Sequence, residues 1–227
     1  MPRRNRRASD HGFTSFRRGC NLNAWLRQNG YLTLKEGADG KAEWLRDVDW
    51  SKTQAYALGL TGMFLNIKGR EAQGIVEPGE GVKAMKAELI GKLSGLRDEE
   101  RDAIGIRELF ETAQLYTGPY IGNAPDFIIG YDEGYRTSWD GATGVVDTRV
   151  FEDNTKAWSG DHCVDPRLVP GIFFSNVPID RDDPALIDIA PTALQVFGLD
   201  PAEHMEGRTL FERNPLAKGR RDAEETQ

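Results

Sequence analysis

The chain of 227 residues has only two cysteines, Cys20 and Cys163. That excludes a disulfide-stapled scaffold, and without a CxxC pair a cysteine zinc module is not expected either. No apolar run approaches the roughly 18 residues of a membrane-crossing helix, so no membrane association is expected. Positive charge is also short. Lys and Arg number 29 against 36 Asp and Glu, a formal charge of −7, whereas a general nucleic-acid binder shows a basic domain. No GxGxxG follows a strand, and neither GxxxxGK[ST] nor GxSxG occurs. A dinucleotide fold, a P-loop and a serine-hydrolase elbow are therefore not expected.

What is present suits a soluble globular chain with a real core: 39% apolar and 29% charged residues. The length predicts one domain, with a second small one as the alternative. Arg3-Arg4 has no apolar segment after it, so it is not a signal peptide, and the expected location is cytoplasmic. Residues 1–8 are polar and basic, and residues 213–227 are polar. Both ends are expected to be unfolded, with the domain spanning 9–212. Leu22, Trp25 and Leu26 share a face and Gly30 follows, which predicts a short helix over 22–29. Val82, Met85, Leu89 and Leu93 predict an amphipathic helix over 79–96. Runs at 62–67, 126–131 and 171–175 predict strands, the last two buried. Asp188 opens a helix over 188–197, with Pro191 in its first turn and Gly198 at its end. Strands alternating with helices predict an α/β core. The polar, glycine-rich stretch 132–160 predicts a long functional loop or a small excursion beside the sheet.

Three histidines remain to carry chemistry. His11 lies in Ser9-Asp10-His11-Gly12-Phe13. A carboxylate beside an imidazole at the end of a strand suits zinc, manganese or a similar ion, and Gly12 lets the backbone turn away. Taken as a bare dipeptide, it reads rather as an exposed Asp-His turn. His162 lies in Trp158-Ser159-Gly160-Asp161-His162, shortly before a strand. By itself it reads as a loop histidine, with Asp161 either orienting it or solvated. His204 sits in a polar loop and is assigned to the surface.

Read in order, these segments resemble a family. Ser9-Asp10-His11-Gly12-Phe13, Leu22-Asn23-Ala24-Trp25-Leu26 and Asn29-Gly30-Tyr31-Leu32 are similar to the alkaline phosphatase superfamily, in its type I phosphodiesterase/nucleotide pyrophosphatase branch. The closer likeness is to the microbial predicted phosphohydrolases and phosphomutases. Leu65 to Glu71, Ala124 to Phe127, Ser159 to His162, Pro170 to Ser175 and Asp188 to Thr192 extend it over residues 9 to 211. The resemblance implies an α/β/α sandwich of the alkaline phosphatase type, with this chain as its C-terminal part. It implies two divalent ions, zinc or manganese, with Asp10 and His11 on one and His162 on the other. It also implies attack on phosphorus by a Thr or Ser oxygen bound to metal, followed by hydrolysis of the phospho-enzyme. In a two-metal site one ion activates the attacking oxygen and the other stabilises the leaving one.

In that family an N-terminal metal-binding Asp, the nucleophile and an Asp-x-x-x-His motif all precede the Asp-His pair. Here only nine residues precede Asp10. The nucleophile is therefore not identified, the metal site is incomplete, and activity of the chain alone is in question. The function expected is hydrolysis of phosphodiester or phosphomonoester bonds in a small molecule or nucleotide. The alternatives are a non-catalytic remnant or split-enzyme module that needs a missing N-terminal half, and a phosphomutase of the same superfamily. Lys68 and Arg70 follow a predicted strand and could face a phosphate, or simply close the strand as a solvated turn. Tyr131, Tyr135, Arg136 and Trp139 could line a substrate cleft, or pack the excursion onto the sheet.

Overall fold

The computed structural model describes residues 6–179 and 181–211. In chain order the elements are β1 (Arg6–Ser9), β2 (Thr14–Cys20), α1 (Leu22–Gln28), β3 (Ala55–Leu58), β4 (Gly62–Leu65), α2 (Glu80–Leu93), β5 (Leu96–Asp98) and β6 (Ala103–Glu111). Then come α3 (Thr112–Leu115), β7 (Phe127–Tyr131), β8 (Gly134–Thr137), α4 (Trp139–Ala142), β9 (Phe151–Asp153), β10 (Gly160–Asp161), β11 (Ile172–Ser175) and α5 (Ile189–Val196). The protein is mixed α/β. The described residues divide into two units, residues 11–170 and residues 6–10 with 171–211.

The 11–170 unit holds two sheets. The larger has the order β3-β4-β7-β6-β5, and every pairing in it is antiparallel. The smaller is built on β2, which pairs β8 in parallel and β9 and β10 antiparallel. The alternating pattern therefore did not translate into a parallel sheet: β3 and β4 are joined by a short turn that returns the chain antiparallel. The core gathers Leu22, Leu26, Met63, Leu65, Leu89, Leu93, Ile106, Phe127, Ile129 and Tyr131. α1 starts where the Asn21 side chain accepts a hydrogen bond from the Ala24 amide, and it buries Leu22, Trp25 and Leu26 as its spacing predicts. α2 buries Leu89 and Leu93, with Val82 and Met85 half-buried beside them.

The stretch 132–160, expected as a loop or a small excursion, is partly structured. It supplies β8, α4 and β9, and Tyr135 and Arg136 are buried. Its buried Tyr135 and Arg136 find partners outside the stretch, Tyr135 on Asp98 and Arg136 on Asp161. Gly19 on β2 explains how β8 and α4 come so close: a Cβ there would lie 2.9 Å from Ser138 Cα. Arg18, also on β2, ties the two sheets together. Its guanidinium donates to Asp98 (2.8 Å), Glu100 (2.7 Å) and Asp153 (2.8 Å).

The second unit contains β1, β11 and α5. β1 pairs β11 antiparallel from Arg6↔Ser175 to Ser9↔Ile172. Residues 6–8, expected to be unfolded, are thus part of a strand, because ladder hydrogen bonds do not depend on side-chain polarity. The expected buried character of 171–175 does not hold. Ile172 is 56% and Phe174 63% exposed, since the ribbon has one face open. α5 begins at Asp188 and ends before Gly198, which takes a φ of 75°. The Asp188 carboxylate accepts from the Ala185 and Arg208 amides, so it ties down the helix start and the segment that returns past it. The tail 213–227 lies outside the described residues.

Asn66 tests this account of the larger unit. Its buried Nδ2 donates to the carbonyls of Trp50, Thr53 and Gln73, pinning two loop segments to the end of β4. Asn66→Ala leaves those carbonyls without that donor. Urea unfolding should show a loss of about 2–3 kcal/mol. A change below about 0.5 kcal/mol would contradict the assignment.

Candidate metal centre

The smaller sheet of the 11–170 unit brings the functional candidates together. β10 pairs the start of β2, with Asp161 opposite Thr14. That register sets the residues after Asp161 against those before Thr14. The His11 and His162 rings stack with centroids 3.8 Å apart and planes 5° from parallel. Phe13 stands edge-on to both, at 5.5 and 5.3 Å.

The two histidines are held differently, His11 through its ring and His162 through its backbone. His11 Nδ1 lies 2.9 Å from the Gly12 carbonyl. A carbonyl can only accept, so Nδ1 carries the proton and the lone pair of the neutral ring is on Nε2. The His162 backbone is fixed by Asp161, whose Oδ1 accepts from the His162 amide (2.7 Å) and the Cys163 amide (2.9 Å). Asp161 Oδ2 in turn meets Arg136 Nη1 at 2.7 Å. Both side chains of that pair are more than nine-tenths buried. Arg136 extends from β8 and lies over the rings of Phe16 (5.0 Å) and Trp139 (4.7 Å). Those faces stabilise a guanidinium that water does not reach.

Burial alone would raise the Asp161 pKa. The amides of Cys163 and His162 and the charge of Arg136 outweigh it, and the carboxyl titrates below its ordinary range. The Cys163 thiol is pushed up, first by burial and then by the Asp161 carboxylate, to which it donates.

Asp161, His162 and Cys163 are the group of potential ligands among the described residues whose donor atoms lie within 4.8 Å of one another. The donor set, two imidazoles with a carboxylate and a thiol at hand, fits a divalent transition metal. The fold thus brings His11 and His162 together. Asp10 belongs to the other unit, where it lines a cavity of about 420 Å³ with Ser9, Ile172 and Leu186. Its metal role rests on the resemblance. His204 is exposed. Asp200 and His204 are the only residues in the chain with Asp-x-x-x-His spacing, and both are exposed on the loop after α5.

Lys68 and Arg70 are engaged elsewhere. Lys68 pairs with Glu77 at 2.7 Å on the surface. Arg70 donates to both oxygens of the buried Asp126 (3.0 and 2.6 Å), to Glu71 and to the Leu65 carbonyl. Asp126 also accepts from the Leu65 amide, so Arg70 closes the junction of β4 and β7. Tyr131 and Tyr135 are buried, whereas Trp139 keeps about a third of its surface exposed. The pattern had offered Arg136 as a cleft residue or as packing for the excursion, and it is buried. The partnership with Asp161 was hidden because the two lie on different strands.

No protein-family model, no curated protein and no solved structure matches the chain.

Asp161 gives a pH test. Its folded pKa is depressed, so its stabilisation is present above the unfolded value near 3.9 and is lost as pH falls through the folded pKa. Asp161→Asn should cost about 3 kcal/mol at pH 7, by leaving Arg136 buried without its partner. It should also flatten the fall in stability below about pH 4. An unchanged acid limb in urea titrations of the variant would contradict this.

Proposed function

We propose that the chain is the C-terminal part of a metal-dependent phosphoester hydrolase, of the phosphodiesterase/nucleotide pyrophosphatase kind within the alkaline phosphatase superfamily. In this reading His11 and His162 are ligands of neighbouring divalent ions, zinc or manganese. The observation that carries it is the stacked pair, drawn together from the two ends of the 11–170 unit. An imidazole ligates through a lone pair in its own plane. Two stacked rings only 5° from parallel keep those lone pairs in separate planes rather than aimed at one point. Such rings suit two ions, and two-metal sites hold their ions about 3.5–4 Å apart.

Ions bound there would supply Lewis-acid polarisation of a phosphoryl oxygen. The chain's own residues orient the ligands: the Gly12 carbonyl holds the His11 tautomer, and Asp161 on Arg136 fixes the His162 backbone. Asp10, directly before His11 in the chain, is assigned to the same ion as His11 by the resemblance. The α/β/α sandwich, the phosphate-ester or nucleotide substrate and the cytoplasmic location are parts of the same proposal. A phosphomutase would use the same ions.

A second reading, a module that acts only with another polypeptide, is favoured by one observation. The smaller unit exposes Ile172, Phe174, Leu186, Ile187, Phe197 and Leu199, and among its described residues the one sheet has two strands. A two-stranded sheet is marginal by itself.

Equilibrium dialysis with Zn²⁺ and Mn²⁺ tests the first reading. His11→Ala and His162→Ala should each weaken binding about tenfold or more, with the melting temperature of the metal-free protein little changed. Hydrolysis of bis(p-nitrophenyl) phosphate should depend on both histidines when the chain is combined with a polypeptide supplying the nucleophile. Metal binding indifferent to both substitutions would overturn it.

A further inference from the structure

We propose that Cys163 supplies a sulfur ligand beside His162, so that the ion at this position is of the soft, zinc-like class rather than magnesium or manganese. The inference rests on the metal reading above and names the metal class of that site. Asp161, His162 and Cys163 are consecutive, yet they present three donor atoms within 4.8 Å of one another. An extended strand would send neighbouring side chains to opposite faces. Here the chain bends because both the His162 and Cys163 amides turn back onto Asp161 Oδ1. Asp161 and Cys163, two positions apart, share a side without any bend, and the bend adds the His162 nitrogen to that side.

The charge balance also suits a thiolate. Asp161 already has the Arg136 guanidinium at 2.7 Å, so the carboxylate is compensated before any ion arrives. A divalent ion replaces the S–H proton with a sulfur–metal bond, and the proton leaves to solvent. The hydrogen bond that Asp161 loses is offset by the cation beside it. Thiolate with imidazole selects zinc or cobalt, whereas magnesium and manganese prefer oxygen ligands. Cys20, the other thiol, is fully buried in the core and takes no part.

Cobalt substitution of the full chain tests this. A thiolate bound to Co²⁺ gives a sulfur-to-metal charge-transfer band in the near ultraviolet, which nitrogen and oxygen ligands do not. The band should appear in the unsubstituted chain and vanish in Cys163→Ala. It should persist in Cys20→Ala, provided circular dichroism shows that each variant is folded. Zn²⁺ affinity should fall about tenfold or more in Cys163→Ala, with Mg²⁺ affinity unchanged. If Co²⁺ binds with visible bands that depend on His162 but shows no charge-transfer band, the sulfur ligand is wrong and the metal reading stands. If no Co²⁺ binds at all, both fall.

Discussion

The buried ion pair of Arg136 and Asp161 is the constraint on which the rest of the candidate centre depends. A charge taken out of water is tolerated only when a partner and hydrogen bonds replace its hydration. Arg136 has Asp161 on one nitrogen and two aromatic faces against its plane, although its buried Nε has no hydrogen-bond partner. Asp161 completes its own shell with the amides of His162 and Cys163. The carboxylate therefore has few alternative positions, and neither has the turn that presents His162. Three adjacent strands contribute: β8 brings Arg136, β2 brings Phe16, and β10 brings Asp161.

That arrangement gives the proposed chemistry a physical basis within the 11–170 unit alone. One histidine is held through its ring by a backbone carbonyl, the other through its backbone by a carboxylate. Rigid ligands raise metal affinity because less freedom is lost on binding. The exposed apolar side chains around β11 and α5 belong to the other unit, and they suit contact with further polypeptide better than chemistry.

Much of the local structure was legible in the sequence. Leu22, Trp25 and Leu26 located α1, the Leu89 and Leu93 spacing located α2, and the apolar run at 127–131 located β7. Local spacing reports which face of an element is apolar, but it does not report which element covers it. That is why Ile172 and Phe174 were expected in a core and lie exposed. Polar composition misled in the opposite direction at 132–160, where Arg136 is buried because its partner arrives from β10. The two histidines were legible because so few exist in the chain. Arg70 looked like a phosphate-facing cation and is bound to Asp126, a pairing 56 positions away that no local pattern encodes.

The most direct measurement is the proton NOE spectrum of the histidine rings in the metal-free protein, alongside that of Arg136→Met. The account predicts contacts between the His11 and His162 ring protons. It predicts their loss in Arg136→Met while the resonances of the β3-β4-β7-β6-β5 sheet keep their positions. Absence of the inter-ring contacts in the unsubstituted protein, or their survival without Arg136, would contradict the claim that this ion pair sets the geometry of the centre.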